Sequence, residues 1–227
     1  MAVITISSEY GSHGEQIAQR VAQCLGYSYF DKEILSDVAR AANMTEEHIR
    51  QYDEKEERGL RSFLKKLFVP DFSRLTELPY YYPPGLPMEQ SLYPEMSKPA
   101  PEAGEVLAFF RHVVERLWKR GNVVIVGRGS QKILAAKPDA LHVRFIASFS
   151  DRSQQVMSQE GIPLSEALKK VEAVDKQRSD YLKHYYDTDG ADARLYHLVI
   201  ISSLMNMEQA VQTIITAVRH LGKTEEK

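Results

Sequence analysis

The stretch Ile4-Thr5-Ile6-Ser7-Ser8-Glu9-Tyr10-Gly11-Ser12-His13-Gly14-Glu15-Gln16 decides how the chain is read. Its opening, from Ala2 to Ser7, is a β-branched run too short for a helix and reads as a buried strand. Two glycines then mark a tight loop over residues 8–14. From Gln16 the apolar residues Ile17, Val21 and Leu25 recur every four positions, and Gly26 stands where a helix would end. A strand, a glycine loop and a helix in that order gather backbone N–H groups and the positive end of a helix dipole around one point. That is a cradle for phosphate, the alternative being an ordinary βα turn.

Working outward, residues 27–30 form a second short strand ending at Asp31, which can cap a helix through Ile34, Leu35, Val38 and Ala42. Another helix starts at Thr45, with Glu46 and Glu47 in its first turn. The prolines from Pro70 to Pro101 break this rhythm and mark an irregular insertion. Just before it, Leu60, Phe63, Leu64, Leu67 and Phe68 share a helical face that needs an apolar partner. The α/β pattern then resumes: a helix over 102–120, a strand over 123–126, Gly127-Arg128-Gly129, a helical segment to 136, and a strand over 141–147. A long helix over 164–185, a strand over 198–201 and a helix over 207–221 follow. Apolar strands alternating with helices indicate a five-stranded parallel sheet covered on both faces, an α/β fold. The chain is expected to be one domain over 1–227 with a helical and irregular insertion at 56–104. Ligands of such sheets bind beyond the carboxyl ends of the strands, where loops 8–14, 31–32 and 127–129 fall.

The bulk composition agrees and excludes some functions. At 227 residues, with 43% hydrophobic and 26% charged residues, the chain supports one sizeable core. A net charge of −2 gives no wide polyanion-binding surface, so nucleic acid is not an expected partner. Cys24 is the sole cysteine, which points to a reducing compartment and a cytoplasmic setting. With no basic leader and no apolar run of about 18 residues, neither export nor a membrane is expected. The seven histidines show no metal-ligand spacing, and His184 and His197 read as surface residues.

Against the P-loop pattern G-x-x-x-x-G-K-S/T, the first loop fits in place and length but not in residues. One register puts Gly14 at the lysine position and the other puts Glu15 there, so the cation must come from elsewhere. By topology the sources are Arg20, Lys32, Arg128, Arg152 and Arg178. Arg128, between two glycines after an apolar strand, can grip a phosphate with two parallel hydrogen bonds, unless it serves a structural ion pair. Asp31 is either a ligand-facing carboxylate or simply a helix cap. Asp175, Arg178, Tyr181 and Tyr185 fall in one helical stripe, the bland alternative being a solvated face with local ion pairs.

Three runs together, residues 4–14, Tyr29-Phe30-Asp31-Lys32-Glu33-Ile34-Leu35 and Val124-Ile125-Val126-Gly127-Arg128-Gly129, resemble the cytidylate kinase-like family. The likeness covers about residues 2–55 and 103–218. That family generally reads I-S-R-E-Y-G-S-G-G-R-E-I-A at the first site, so lack of the lysine is a family trait. Here Ser8 replaces an arginine, His13 a glycine and Glu15 a second arginine. The resemblance implies a P-loop NTPase-like three-layer fold, with residues 150–192 as a lid. It implies transfer of the ATP γ-phosphate, with Mg²⁺, to a nucleoside monophosphate such as CMP. In that scheme Arg128, Arg152, Arg178 and Asp31 are catalytic, with Arg128 holding the acceptor phosphate. Ser8, Gly11, Ser12, His13, Gly14, Glu15, Gln16 and Lys176 bind the donor. Small nucleotides are then the partners. Two other readings stay open: a weak or inactive nucleotide-binding sensor, favoured by the departures at Ser8, His13 and Glu15, and an interaction protein that forms a homodimer through the 60–68 helix and the insertion.

Overall fold

The computed structural model describes residues 2–31 and 103–221. Lys32, the helices expected over 34–42 and from Thr45, the apolar face from Leu60 to Phe68 and the proline-rich insertion up to residue 102 lie outside the described residues. Residues 1–42 and 107–227 form one compact unit and Asn43–Val106 another. The sheet and the site belong to the first.

The elements follow in the expected order. β1 (Val3–Ser8) leads through the loop to α1 (Gly14–Leu25) and β2 (Ser28–Phe30). After α2 (Ala103–Arg120) come β3 (Val123–Val126), the short α3 (Ser130–Ile133) and β4 (Ala140–Ile146). α4 (Phe149–Glu160), α5 (Leu164–Tyr186), β5 (Leu198–Ile201) and α6 (Met207–His220) complete it. All strand pairs are parallel, in the order β2-β3-β1-β4-β5, with Ile4 beside Val124 and Leu141. Helix α4 and a single 3-10 turn at Ala193–Leu195 are absent from the sequence expectation. Only Arg152, Ser153 and Val156 of the twelve residues of α4 are buried, so its apolar stripe is nearly invisible. Its start is nonetheless signalled, since the Ser148 side chain accepts the Asp151 N–H at 3.1 Å.

Side-chain alternation sorts the two faces of the sheet. Ile4 and Ile6 of β1, Val124 and Val126 of β3, and Leu141, Val143 and Phe145 of β4 pack in one core with Ile17 and Val21 of α1 and Val211, Ile214 and Ile215 of α6. Each such aliphatic burial contributes about 1.5–3 kcal/mol. Because crossovers are right-handed, α1 lies on this face and the helices of the oppositely directed crossovers lie on the other, giving three layers. α1 ends where Gly26 adopts φ 66° and the Tyr27 N–H returns to the Ala22 carbonyl at 2.9 Å.

The second face carries polar groups at its centre. Thr5 Oγ1 lies 2.7 Å from Nδ1 of His142, which is 4% exposed, and the His142 ring stacks on His197 with centroids 4.9 Å apart. His197, exposed as expected, thus has a structural task, accepting the His142 N–H at 2.9 Å. Burial, and then the neighbouring His197, push the His142 pKa down to about 4. Between that value and the ordinary value near 6.5, the unfolded chain takes up a proton that the native state refuses. This contribution to stability is therefore complete above pH ~6.5 and is lost as pH falls toward 4, with a slope of at most ~1.4 kcal/mol per pH unit. Urea titrations at pH 7, 6 and 5 should show the decline, and His142→Gln should flatten it. Equal slopes in the two proteins would remove His142 as the cause.

Candidate active site

The first loop is held by its own backbone and by α4. Glu9 N–H donates to the Phe145 carbonyl at 3.0 Å, and the Ser12 hydroxyl donates to the Glu9 carbonyl at 2.7 Å. A Cβ at Gly11, where φ is 81°, would stand 2.6 Å from the Arg152 carbonyl oxygen, and one at Gly14 would stand 2.5 Å from Ser8 Cβ. Both glycines are therefore required by close approach. His13 caps α1 from a left-handed conformation, φ 61°, without a side-chain hydrogen bond. The N–H groups of the first turn of α1 have no intrahelical partner. They border a cavity of about 200 Å³ lined by Ser8 and by the whole run from Gly11 to Gln16, the loop residues expected from the sequence.

Two arginines reach this loop from the far side, and their surroundings differ. Arg152, on α4, is 6% exposed. Its Nε donates to the Ala147 carbonyl and its Nη1 to the Tyr10 carbonyl, both at 3.1 Å, and it pairs with Asp175 and, at 3.3 Å, with Glu9. Asp175 in turn accepts the Tyr10 N–H at 2.9 Å. Arg152 is thus a brace that ties the loop to α4, to α5 and to the residue that follows β4. Arg178, on α5, donates to the Ser8 carbonyl at 2.6 Å, lies 3.4 Å from the Glu15 carboxylate and sits over the Tyr10 ring. Lys176 is exposed and lines neither cavity, while Arg20 is exposed and reaches Gln23 at 3.4 Å.

A larger cavity, about 470 Å³, opens at the carboxyl ends of β1, β3 and β4 under α5. Asp31 and Arg128 line it. Gly127, Arg128 and Gly129 are three successive left-handed residues, with φ 78°, 56° and 69°. For a non-glycine residue this conformation costs about 1–2 kcal/mol, so Arg128 is held there by its surroundings. Tyr186 Oη donates to the Arg128 carbonyl at 3.0 Å, and the Arg128 guanidinium lies 4.6 Å over the Phe110 ring. A Cβ at Gly129 would come within 2.4 Å of the Tyr186 ring, which leaves glycine alone able to sit beneath it. Asp175 and Arg178 also line this cavity, with Tyr181, while the Tyr185 ring, outside the lining, packs against Tyr181 with centroids 4.9 Å apart and a tilt of 53°. The expected helical stripe therefore faces the site in its first three members.

Sequence reading missed Arg144 of β4, together with Ser7, on the cavity floor. The signal was present: in Ala140–Ile146 the two residues foreign to an apolar strand, His142 and Arg144, are spaced by two and so share a face.

The two cavities share Ser8, Glu9, Glu15 and Arg178 as a common wall. Among the described residues, five carboxylates, from Glu9, Glu15, Asp31, Asp175 and Asp189, and three guanidiniums, from Arg128, Arg144 and Arg178, line the larger one. Hard oxygen donors beside a phosphate site suit Mg²⁺, which one or two carboxylates with water can hold, and among the described residues no group of three or more metal-ligating side chains comes together. Among the described residues no helix is long and apolar enough to cross a membrane.

Comparison with known proteins bears on this arrangement. A family model described as the cytidylate kinase-like family matches residues 3–204. The cytidylate kinase of Methanocaldococcus jannaschii is 34% identical over 111 residues, which are 46% of this chain and 60% of that protein. The chain thus aligns with less than two thirds of the length of that relative. An uncharacterized protein from Eubacterium ventriosum ATCC 27560 superposes with a TM-score of 0.64 at 19% identity, over 96% of this chain and 98% of that one, which shows a shared fold.

Proposed function

The chain belongs to the cytidylate kinase-like family, and from that premise we propose that it transfers the γ-phosphoryl group of ATP to the phosphate of a nucleoside monophosphate, CMP or a close relative, releasing ADP and a nucleoside diphosphate. One observation carries this reading: a phosphate-sized cradle at the start of α1 and a mononucleotide-sized cavity meet at Ser8, Glu9, Glu15 and Arg178. A donor phosphate in the first and an acceptor phosphate in the second would face each other across that wall. Phosphoryl transfer asks chiefly for positioning and charge neutralisation, so no covalent nucleophile is needed. In this scheme residues 11–16 hold the donor phosphates through backbone N–H groups, and Arg128 holds the acceptor phosphate. Arg178 supplies the charge that a loop lysine would otherwise bring, and Arg152 acts through the loop geometry it braces. Glu15 and Asp31 are the carboxylates that would hold Mg²⁺. When bound, Mg²⁺ would neutralise charge on the transferring group. The partners are small nucleotides, in a cytoplasmic setting that fits the free thiol of Cys24.

A second reading, a weak or inactive nucleotide sensor, draws on two contacts. Asp175 already occupies the Tyr10 N–H, and Glu15 takes part of the charge of Arg178. One experiment separates the two: protein with MgATP and a panel of CMP, dCMP, UMP, AMP and GMP, followed for ADP production, with calorimetric titration of MgATP alongside. Acceptor-dependent ADP establishes the kinase, and MgATP binding without turnover establishes the sensor. Neither binding nor turnover would remove both.

A further inference from the structure

Arg144, half-buried, differs from the buried Arg152 in how its donors are met. Its side chain is 14% exposed. Its Nη1 donates to Ser7 Oγ at 3.3 Å and to Tyr196 Oη at 3.4 Å, and its Nη2 lies 3.8 Å from Glu9. Each of these contacts is longer than a good charge-assisted hydrogen bond. The Arg152 side chain, 8% exposed, has its donors on carbonyl and carboxylate oxygens at 3.3 Å or less. A guanidinium carries five donors, and one that is largely withdrawn from solvent with only long contacts leaves donor capacity for something else to complete. What borders it is the floor of the larger cavity, where Ser7, Arg144 and Gly190 come together.

The position is set by the sheet. Ser7 and Arg144 are register partners on β1 and β4, one step above the sealed Thr5 and His142 pair. Tyr196 Oη donates to the Gly190 carbonyl at 2.8 Å, which leaves its lone pairs toward Arg144. Arg128 follows β3, on the other side of β1, so the two arginines stand on strands about 10 Å apart, two strand spacings. A nucleoside monophosphate held by its phosphate at Arg128 can span that gap.

We infer that Arg144, with the Ser7 and Tyr196 hydroxyls, is the specificity pocket for the end of the acceptor remote from its phosphate, and that it takes the hydrogen-bond-accepting edge of a nucleobase. Among the described residues, the charges beside Arg144 favour a neutral base over a carboxylate or second phosphate. Glu9 lies 3.8 Å from the guanidinium and Asp189 lines the same cavity, so an added anion would meet two carboxylates. Carbonyl oxygens and unprotonated ring nitrogens accept from the guanidinium without bringing charge. The inference rests on the reading of this cavity as the acceptor site.

The test uses the full chain with MgATP, CMP as acceptor, and ribose 5-phosphate, which lacks the base, as a competing ligand. Arg144→Met should raise the KM for CMP tenfold or more while leaving the KM for ATP and the inhibition constant of ribose 5-phosphate within about twofold. Thermal melts establish folding. Ser7→Ala, which removes only a hydroxyl that Arg144 donates to, should give the same pattern at smaller size and serves if Arg144→Met does not fold. An unchanged KM for CMP, or equal weakening of CMP and ribose 5-phosphate, overturns the inference and leaves the acceptor reading standing. If the parent protein phosphorylates no nucleoside monophosphate, the acceptor reading falls and this inference with it.

Discussion

Arg178→Ala is expected to lower kcat about a thousandfold, in the range seen when an arginine that neutralises a transferring phosphoryl group is removed. The KM for the acceptor should change by only a few-fold. The argument starts from the loop, which has no lysine: in either register the position is Gly14 or Glu15. Of the arginines considered as substitutes, Arg20 points to Gln23 and Arg152 has its donors on Ala147, Tyr10, Glu9 and Asp175. Arg178 borders both cavities and touches the loop at Ser8, which puts its charge where donor and acceptor would meet. Its removal would also release the Glu15 carboxylate, 3.4 Å away, to repel bound phosphate at the start of α1. The reverse change follows from the same geometry. Glu15→Arg should strengthen metal-free ATP binding and weaken the dependence of that binding on Mg²⁺. Single-turnover kinetics for Arg178→Ala and calorimetric titrations with and without Mg²⁺ for Glu15→Arg provide the measurements. A kcat within tenfold of the parent would take Arg178 out of the chemistry.

The sheet was legible because its strands read as apolar runs: β3 is buried throughout, and the edge strand β5 keeps the pattern although Val199 and Ile201 are exposed. Residues 198–201 and 123–126 fall where they were expected, and β1 and β4 within a residue. The apolar period of α1 is first visible from Gln16, and a start near Glu15 follows from it, whereas the helix begins at Gly14. Gly14 looks like a loop residue, and the cap, His13, is left-handed rather than a side-chain acceptor. α4 stayed hidden for a different reason: its partners are α5 and the loop, met through Val156 against Ala167, Val171 and Tyr10, so it needs no long apolar stripe. Site residues divide along the same line. Gly11 and Gly14 announce themselves as glycines, and Arg128 by the two glycines beside it. The brace formed by Arg152, Asp175 and Glu9 joins residues more than twenty positions apart, and local spacing carries no record of it. Which arginine would be spent on structure and which would face the cavities was therefore open until the chain was folded.

Arg128→Ala should raise the KM for the acceptor roughly ten- to a hundredfold, since one charge-assisted contact of this kind contributes about 1.5–3 kcal/mol. The KM for ATP should move much less, because Arg128 lines the larger cavity and not the one at the start of α1. Its backbone sharpens the expectation. The left-handed conformation at φ 56° is held by the Tyr186 hydrogen bond to the Arg128 carbonyl, which an alanine keeps, so the turn itself should survive. What is lost is the guanidinium and its contact with Phe110. Arg128→Lys separates those two contributions. A lysine keeps a positive charge but cannot offer two parallel donors, so it should recover only part of the acceptor affinity. Initial-rate kinetics with each substrate varied in turn give the two KM values, and melting curves control for stability. Parallel increases in both KM values would mean that Arg128 shapes the site as a whole and does not hold the acceptor phosphate.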